Sequence, residues 1–116
     1  MQTGSSRKKF QKLVRDNIPQ LIEKSGGTTS WHVVPRESRY QALIDKIKEE
    51  VDELGTSCTA EEFLEEAADV YEVLMALVYE RGFIDADLTL KANQKRRDKG
   101  GFDRFLWLEE ADQRDS

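Results

Sequence analysis

The chain has 116 residues, of which 35% are charged and 38% hydrophobic, and a formal net charge of −5. That length holds one domain with a single modest core, and the negative balance argues against broad electrostatic attraction to nucleic acid. A single cysteine, Cys58, rules out an intramolecular disulfide and a multi-cysteine zinc site. No apolar run reaches membrane-spanning length or forms a signal-peptide core, so a soluble cytoplasmic protein without a membrane partner is expected. The composition is rather polar for a self-sufficient monomer, which points to a homodimer or homotetramer burying apolar surface between subunits.

Residues 1–8 are polar and read as a disordered tail ahead of a single domain over 9–110; residues 111–116 form an acidic end expected to fray. Arg7, Lys8, Lys9, Lys12 and Arg15 make the start basic. They read either as a solvated arm or, for Arg15, as a contact to phosphate. Phe10 to Val14 has the composition of a short strand. Asn17 is placed to cap a short helix with Pro19 in its first turn, ended by Gly26-Gly27. Thr28 to Val34, rich in β-branched and aromatic residues, is a second strand candidate. His32 has no His or Cys partner and reads as structural. Trp31 reads as packing beneath the helices, with stacking on a nucleobase as the alternative.

The informative stretch runs from Lys46 to Asp69. A helix over about Glu37–Leu54 carries Tyr40, Leu43, Ile44, Ile47, Val51 and Leu54 on one stripe. Gly55-Thr56-Ser57 interrupts the pattern, and Thr59 with Glu62 forms an S/T-x-x-E capping box that starts a second helix, about Ala60–Arg81. So short a break folds the two helices back antiparallel. Each half then contributes two carboxylates one turn apart: Glu50 with Glu53, and Glu66 with Asp69. At about 100° per residue, Glu50 flanks the apolar stripe and Glu53 lies further out. On the second helix, Phe63, Leu64, Ala67, Val70, Tyr71, Leu74 and Val78 make the main apolar face, while Glu66 and Asp69 share a side stripe with Val73 and Leu77. Solvated acidic turns are one reading of this pattern. The other is a site for a hard divalent cation with oxygen ligands, Mg2+ first and Mn2+ next, because four carboxylates at a core boundary repel unless a cation compensates.

A third helix, capped by Asp85 or Asp87 and running to about Lys99, is mostly polar. Its end carries Lys91, Lys95, Arg96, Arg97 and Lys99, either as surface charge complementing the helix dipole or as a patch for a polyphosphate, with Lys91 and Lys95 on one face. Gly100-Gly101-Phe102 permits a sharp turn, and Phe105 to Leu108 is a third strand candidate. The expected fold is therefore mainly α, a bundle of antiparallel helices with a minor two- or three-stranded β patch. No Gly-rich phosphate loop with its Lys-Ser/Thr is present.

Glu49-Glu50-Val51-Asp52-Glu53, then twelve residues, then Glu66-Ala67-Ala68-Asp69 resembles the EExxE…ExxD signature of the MazG-like, all-α nucleoside triphosphate pyrophosphatases. That superfamily includes the phosphoribosyl-ATP pyrophosphohydrolases. Lys12-Leu13-Val14-Arg15-Asp16-Asn17-Ile18-Pro19 resembles the KLVRDxIP opening of one subgroup, and Lys95 to Phe102 its Lys-rich GGF ending. The resemblance implies Glu50, Glu53, Glu66 and Asp69 as metal ligands and Glu49 as a further motif residue. It implies a Mg2+-dependent hydrolase that splits a nucleotide substrate into monophosphate and pyrophosphate, a house-cleaning activity if that nucleotide is non-canonical. Glu49 and Glu53 are then the candidates to orient or deprotonate the attacking water, and Lys91, Lys95, Arg96 and Arg15 those to bind the polyphosphate. Two rival readings are a phosphoribosyl-ATP pyrophosphohydrolase of histidine biosynthesis and a non-catalytic helical interaction module.

Overall fold

The computed structural model describes residues 11–113. It is mainly helical: α1 (Ile18–Lys24), α2 (Arg39–Gly55), α3 (Ala60–Glu80) and α4 (Asp85–Lys99), with a 3-10 turn at Arg36–Ser38 leading into α2. None of the described helices is long and apolar enough to cross a membrane.

The helix limits follow from local chemistry. α3 begins at Thr59, whose hydroxyl accepts the Glu62 N–H at 3.1 Å. The Glu62 carboxylate reaches back to the Cys58 N–H at 2.9 Å, one residue earlier than a regular capping box. α3 ends where Gly82 takes φ +88°, and the Phe83 N–H closes onto the Val78 carbonyl at 3.0 Å, the bonding of a Schellman stop. At α4 the expected Asp85 or Asp87 cap takes another form. Ile84 is the capping position, and Asp87, already inside the first turn, accepts the Ile84 N–H at 2.9 Å. Likewise Asn17 precedes α1 without a side-chain cap.

α2 and α3 pack as an antiparallel pair. At one end the Arg81 guanidinium lies 4.0 Å from the centroid of the Tyr40 ring, and at the other Glu50 meets Glu66 and Asp69. α4 touches only the C-terminal part of α3. Two expectations change. Among the described residues there is no strand: residues 28–34 and 105–108 are irregular, and Phe10, the first residue of the N-terminal strand candidate, lies outside them. Residues 1–8, read as a tail, and 114–116, the end of the acidic stretch 111–116, also lie outside the described part. Trp31, expected beneath the helices, is 65% exposed.

The face of α3 richest in apolar residues is not the one that packs. Val73 is buried, whereas Leu64 and Tyr71 are 69% and 60% exposed. Two helices in contact cover only the strips that face each other, and α2 covers the side stripe carrying Glu66, Asp69 and Val73. Much of the broader apolar face, Phe63, Leu64 and Tyr71 included, is left open. Because α3 is the central rod, its start matters most. Thr59→Ala is expected to cost about 1 kcal/mol and to lower the thermal midpoint by roughly 4–8 °C, measured by circular dichroism.

Candidate metal centre

Antiparallel packing brings one turn of α2 against the first half of α3. Carboxylate oxygens of Glu50, Glu66 and Asp69 lie within 4.8 Å of one another, and so do those of Glu49, Glu50 and Glu53. Glu50 belongs to both groups. It sits beside the apolar stripe of α2, so pairing with α3 buries it: at 5% exposure it is more buried than Val73 or Met75. Glu53, one turn on, stays exposed, and Glu66 and Asp69 are half-buried. One oxygen of Glu50 and one of Glu66 are buried without a hydrogen-bond partner.

Three side chains of the same chain enter this field. Lys46 bridges Glu49 at 3.3 Å and Glu50 at 3.2 Å. Lys12 approaches Glu49 at 3.3 Å. Arg15 donates to Asp69 at 2.7 Å. Burial disfavours the Lys46 ammonium, yet its hydrogen bonds to Glu50 and Glu49 outweigh that and hold its pKa above the ordinary value. The same contest goes the other way at Glu49: burial favours its neutral form, but Lys46 and then Lys12 hold the carboxyl below its usual range. At Glu53 nothing opposes. Partial loss of water, followed by the charges of Glu50, Glu66 and Glu49, pushes the carboxyl up. The hydrogen bond to Asp69 raises the Arg15 guanidinium despite some desolvation.

The two groups together hold five carboxylates, Glu49, Glu50, Glu53, Glu66 and Asp69, against the three cations Lys12, Lys46 and Arg15. Two negative charges remain, the charge of one divalent cation. The Arg15–Asp69 pair is exposed enough to contribute only about 0.2–1 kcal/mol, so protein cations do not settle the balance. The unpartnered oxygens of Glu50 and Glu66 face a site whose other donors are also carboxylate oxygens. Such a set suits Mg2+ or Mn2+.

Of the residues singled out in the sequence, the structure gathers Glu49, Glu50, Glu53, Glu66, Asp69 and Arg15. It does not bring Lys91, Lys95 and Arg96 to them within one chain. Lys91 bonds Gln94 at 3.2 Å and Arg96 pairs with Asp103 at 3.5 Å. Lys91 flanks Val78, nine residues beyond Asp69, or about 14 Å along α3. Lys12 and Lys46 were not singled out. Lys46 was legible as the i−4 and i−3 partner of Glu50 and Glu49; Lys12, in an irregular segment, carries no such spacing signal. Nothing local says that the N-terminal segment reaches α2. No protein-family model matches this chain, and neither a curated protein nor a solved structure matches it.

The repulsion at Glu53 has a measurable consequence without metal. A carboxyl whose folded pKa is raised favours the native state below its unfolded pKa and loses that contribution as pH rises through the folded value. Glu53→Gln is therefore expected to raise the thermal midpoint of the chelator-treated protein at pH 7. The gain should shrink toward zero below about pH 4, where the carboxyl is protonated in both states. Paired melts at the two pH values check this.

Proposed function

We propose that the chain is a MazG-like nucleotide pyrophosphohydrolase, acting in the cytoplasm on a nucleoside triphosphate or a related nucleotide and yielding monophosphate and pyrophosphate. The observation that carries the reading is the pair of buried, unpartnered oxygens on Glu50 and Glu66 beside Asp69 and Glu53. Glu50, Glu53, Glu66 and Asp69 would hold Mg2+, or Mn2+ in its place. When bound, such an ion neutralises charge on the phosphoryl oxygens of the substrate.

The chain's own residues take distinct parts. Glu49 and Glu53 stand in one cluster, but their surroundings separate them. Glu49, held ionised by Lys46 and Lys12, orients donors and accepts hydrogen bonds. Glu53 is exposed and unpaired with any cation in the cluster, which leaves its second oxygen free to orient or deprotonate a water beside the ion. Arg15, already at the edge of the site through Asp69, is the nearest guanidinium for a phosphate. Lys91, Lys95 and Arg96 would contribute only if a second chain brought them in. The open face of α3, with Leu64, Ala67, Tyr71, Leu74 and Val78 at alternating three- and four-residue spacing, is the seam on which two hairpins would close into an antiparallel bundle as a homodimer or homotetramer.

The test is pyrophosphate release from a panel of ordinary and modified triphosphates and phosphoribosyl-ATP with Mg2+. Turnover is expected on at least one of them. Glu50→Gln should reduce it by more than the roughly 10–100-fold typical of residues that only support a ligand. Absence of turnover across the panel, together with no Mg2+-dependent nucleotide binding by calorimetry, would favour an interaction module instead.

A further inference from the structure

The C-terminal segment is the most apolar exposed stretch of the described chain. Phe105, Leu106, Trp107 and Leu108 are 88%, 72%, 89% and 79% exposed. Four consecutive large apolar side chains in water are costly, at about 1.5–3 kcal/mol for each of the size of Leu or Phe. The segment leaves α4 at its C-terminal end, where Gly100 takes φ +84°. It then turns through a bond from the Phe105 N–H to the Phe102 carbonyl at 3.2 Å. Apart from the Arg96–Asp103 pair, the interactions described for α4 do not involve it.

A groove of matching character lies at the other half of α4. Val78 of α3 and Phe83 just beyond it, with Asp87, Leu88 and Leu90 from α4, line about 420 Å³, and Lys91 and Gln94 form its rim. That volume is within the range of specific binding pockets, about 300–1,000 Å³, and accepts an indole with a neighbouring aliphatic side chain. The electrostatics match too. Glu109 and Glu110 follow the apolar run directly, and Lys91 and Lys95 lie one turn apart at and beyond the rim. An apolar run followed by acid thus faces a groove that is basic on its Lys91–Lys95 side, while the Asp87 carboxylate in the lining is engaged by the Ile84 N–H.

We propose that residues 105–110 of one chain dock in the α3–α4 groove of a second copy of the same chain, with Trp107 as the anchor and Glu109 and Glu110 against Lys91 and Lys95. Within one chain the groove is open and the segment stands clear of it, so exchange between copies satisfies both. A central Trp ringed by charge is also how association energy usually concentrates.

The test uses the full chain with Trp31→Phe, so that emission reports Trp107 alone, together with light scattering over a dilution series. The expected result is a concentration-dependent oligomer in which Trp107 emission is blue-shifted and moves to that of exposed indole on dilution. Truncation after Asp103, or Leu90→Lys, should weaken association by at least about tenfold. Lys91→Glu with Lys95→Glu should also weaken it, and Glu109→Lys with Glu110→Lys should restore part of the loss. A monomer with blue-shifted Trp107 at every concentration would mean that the segment folds onto its own groove, and would overturn the proposal. So would a monomer with exposed Trp107 throughout, or an oligomer whose affinity the truncation leaves unchanged.

Discussion

One of the best buried side chains in the described structure is a carboxylate, and much of the molecule answers to that. Glu50 lies deeper than Val73 or Met75, the two buried hydrophobic residues among the described ones. Taking an ion out of water costs several kcal/mol even after relaxation, and Lys46 engages only one of its two oxygens. The α2–α3 pair therefore stores an electrostatic deficit near its hairpin end, and Glu66, Asp69 and Glu53 deepen it. Lys12 and Arg15 from the N-terminal segment reduce the deficit without closing it. A bound divalent cation would turn the most unfavourable part of the hairpin into its most favourable one.

The same deficit divides the labour among similar residues. Glu49 and Glu53 are four apart on one helix, yet one is ringed by two ammonium groups and the other by three carboxylates. Burial raises both carboxyls, and their neighbours then separate them: the two ammonium groups bring Glu49 below its usual range, while the carboxylates push Glu53 further up. Arg15 joins the cluster through Asp69 and remains half-exposed there.

The helices and the site were legible to different depths. α2, α3 and α4 could be read because apolar spacing, the Thr59–Glu62 signal, Gly82 and Gly100 are local chemistry. The convergence of Glu50 with Glu66 and Asp69 followed from a short break that forces antiparallel return. What could not be read depends on contacts between distant parts. Nothing near Lys12 announces that it lies on Glu49, and Phe105–Leu108 has strand composition without a partner to pair with. The richest apolar face of α3 suggested the core, but a two-helix contact selects one strip, and the selected strip was the one carrying the carboxylates. The apolar surface left over, on α3 and in the C-terminal segment, is what association between copies would cover.

Titrating the metal-free protein with Mn2+ in the absence of any nucleotide, followed by calorimetry and by the thermal midpoint, examines the central claim most directly. Wild type is expected to bind at least one ion per chain and to gain stability with metal concentration as linkage requires. Glu50→Gln should be no less stable than wild type without metal and should lose most of the Mn2+-dependent gain. A wild-type protein indifferent to Mn2+, or a Glu50→Gln variant that gains as much as wild type, would contradict it.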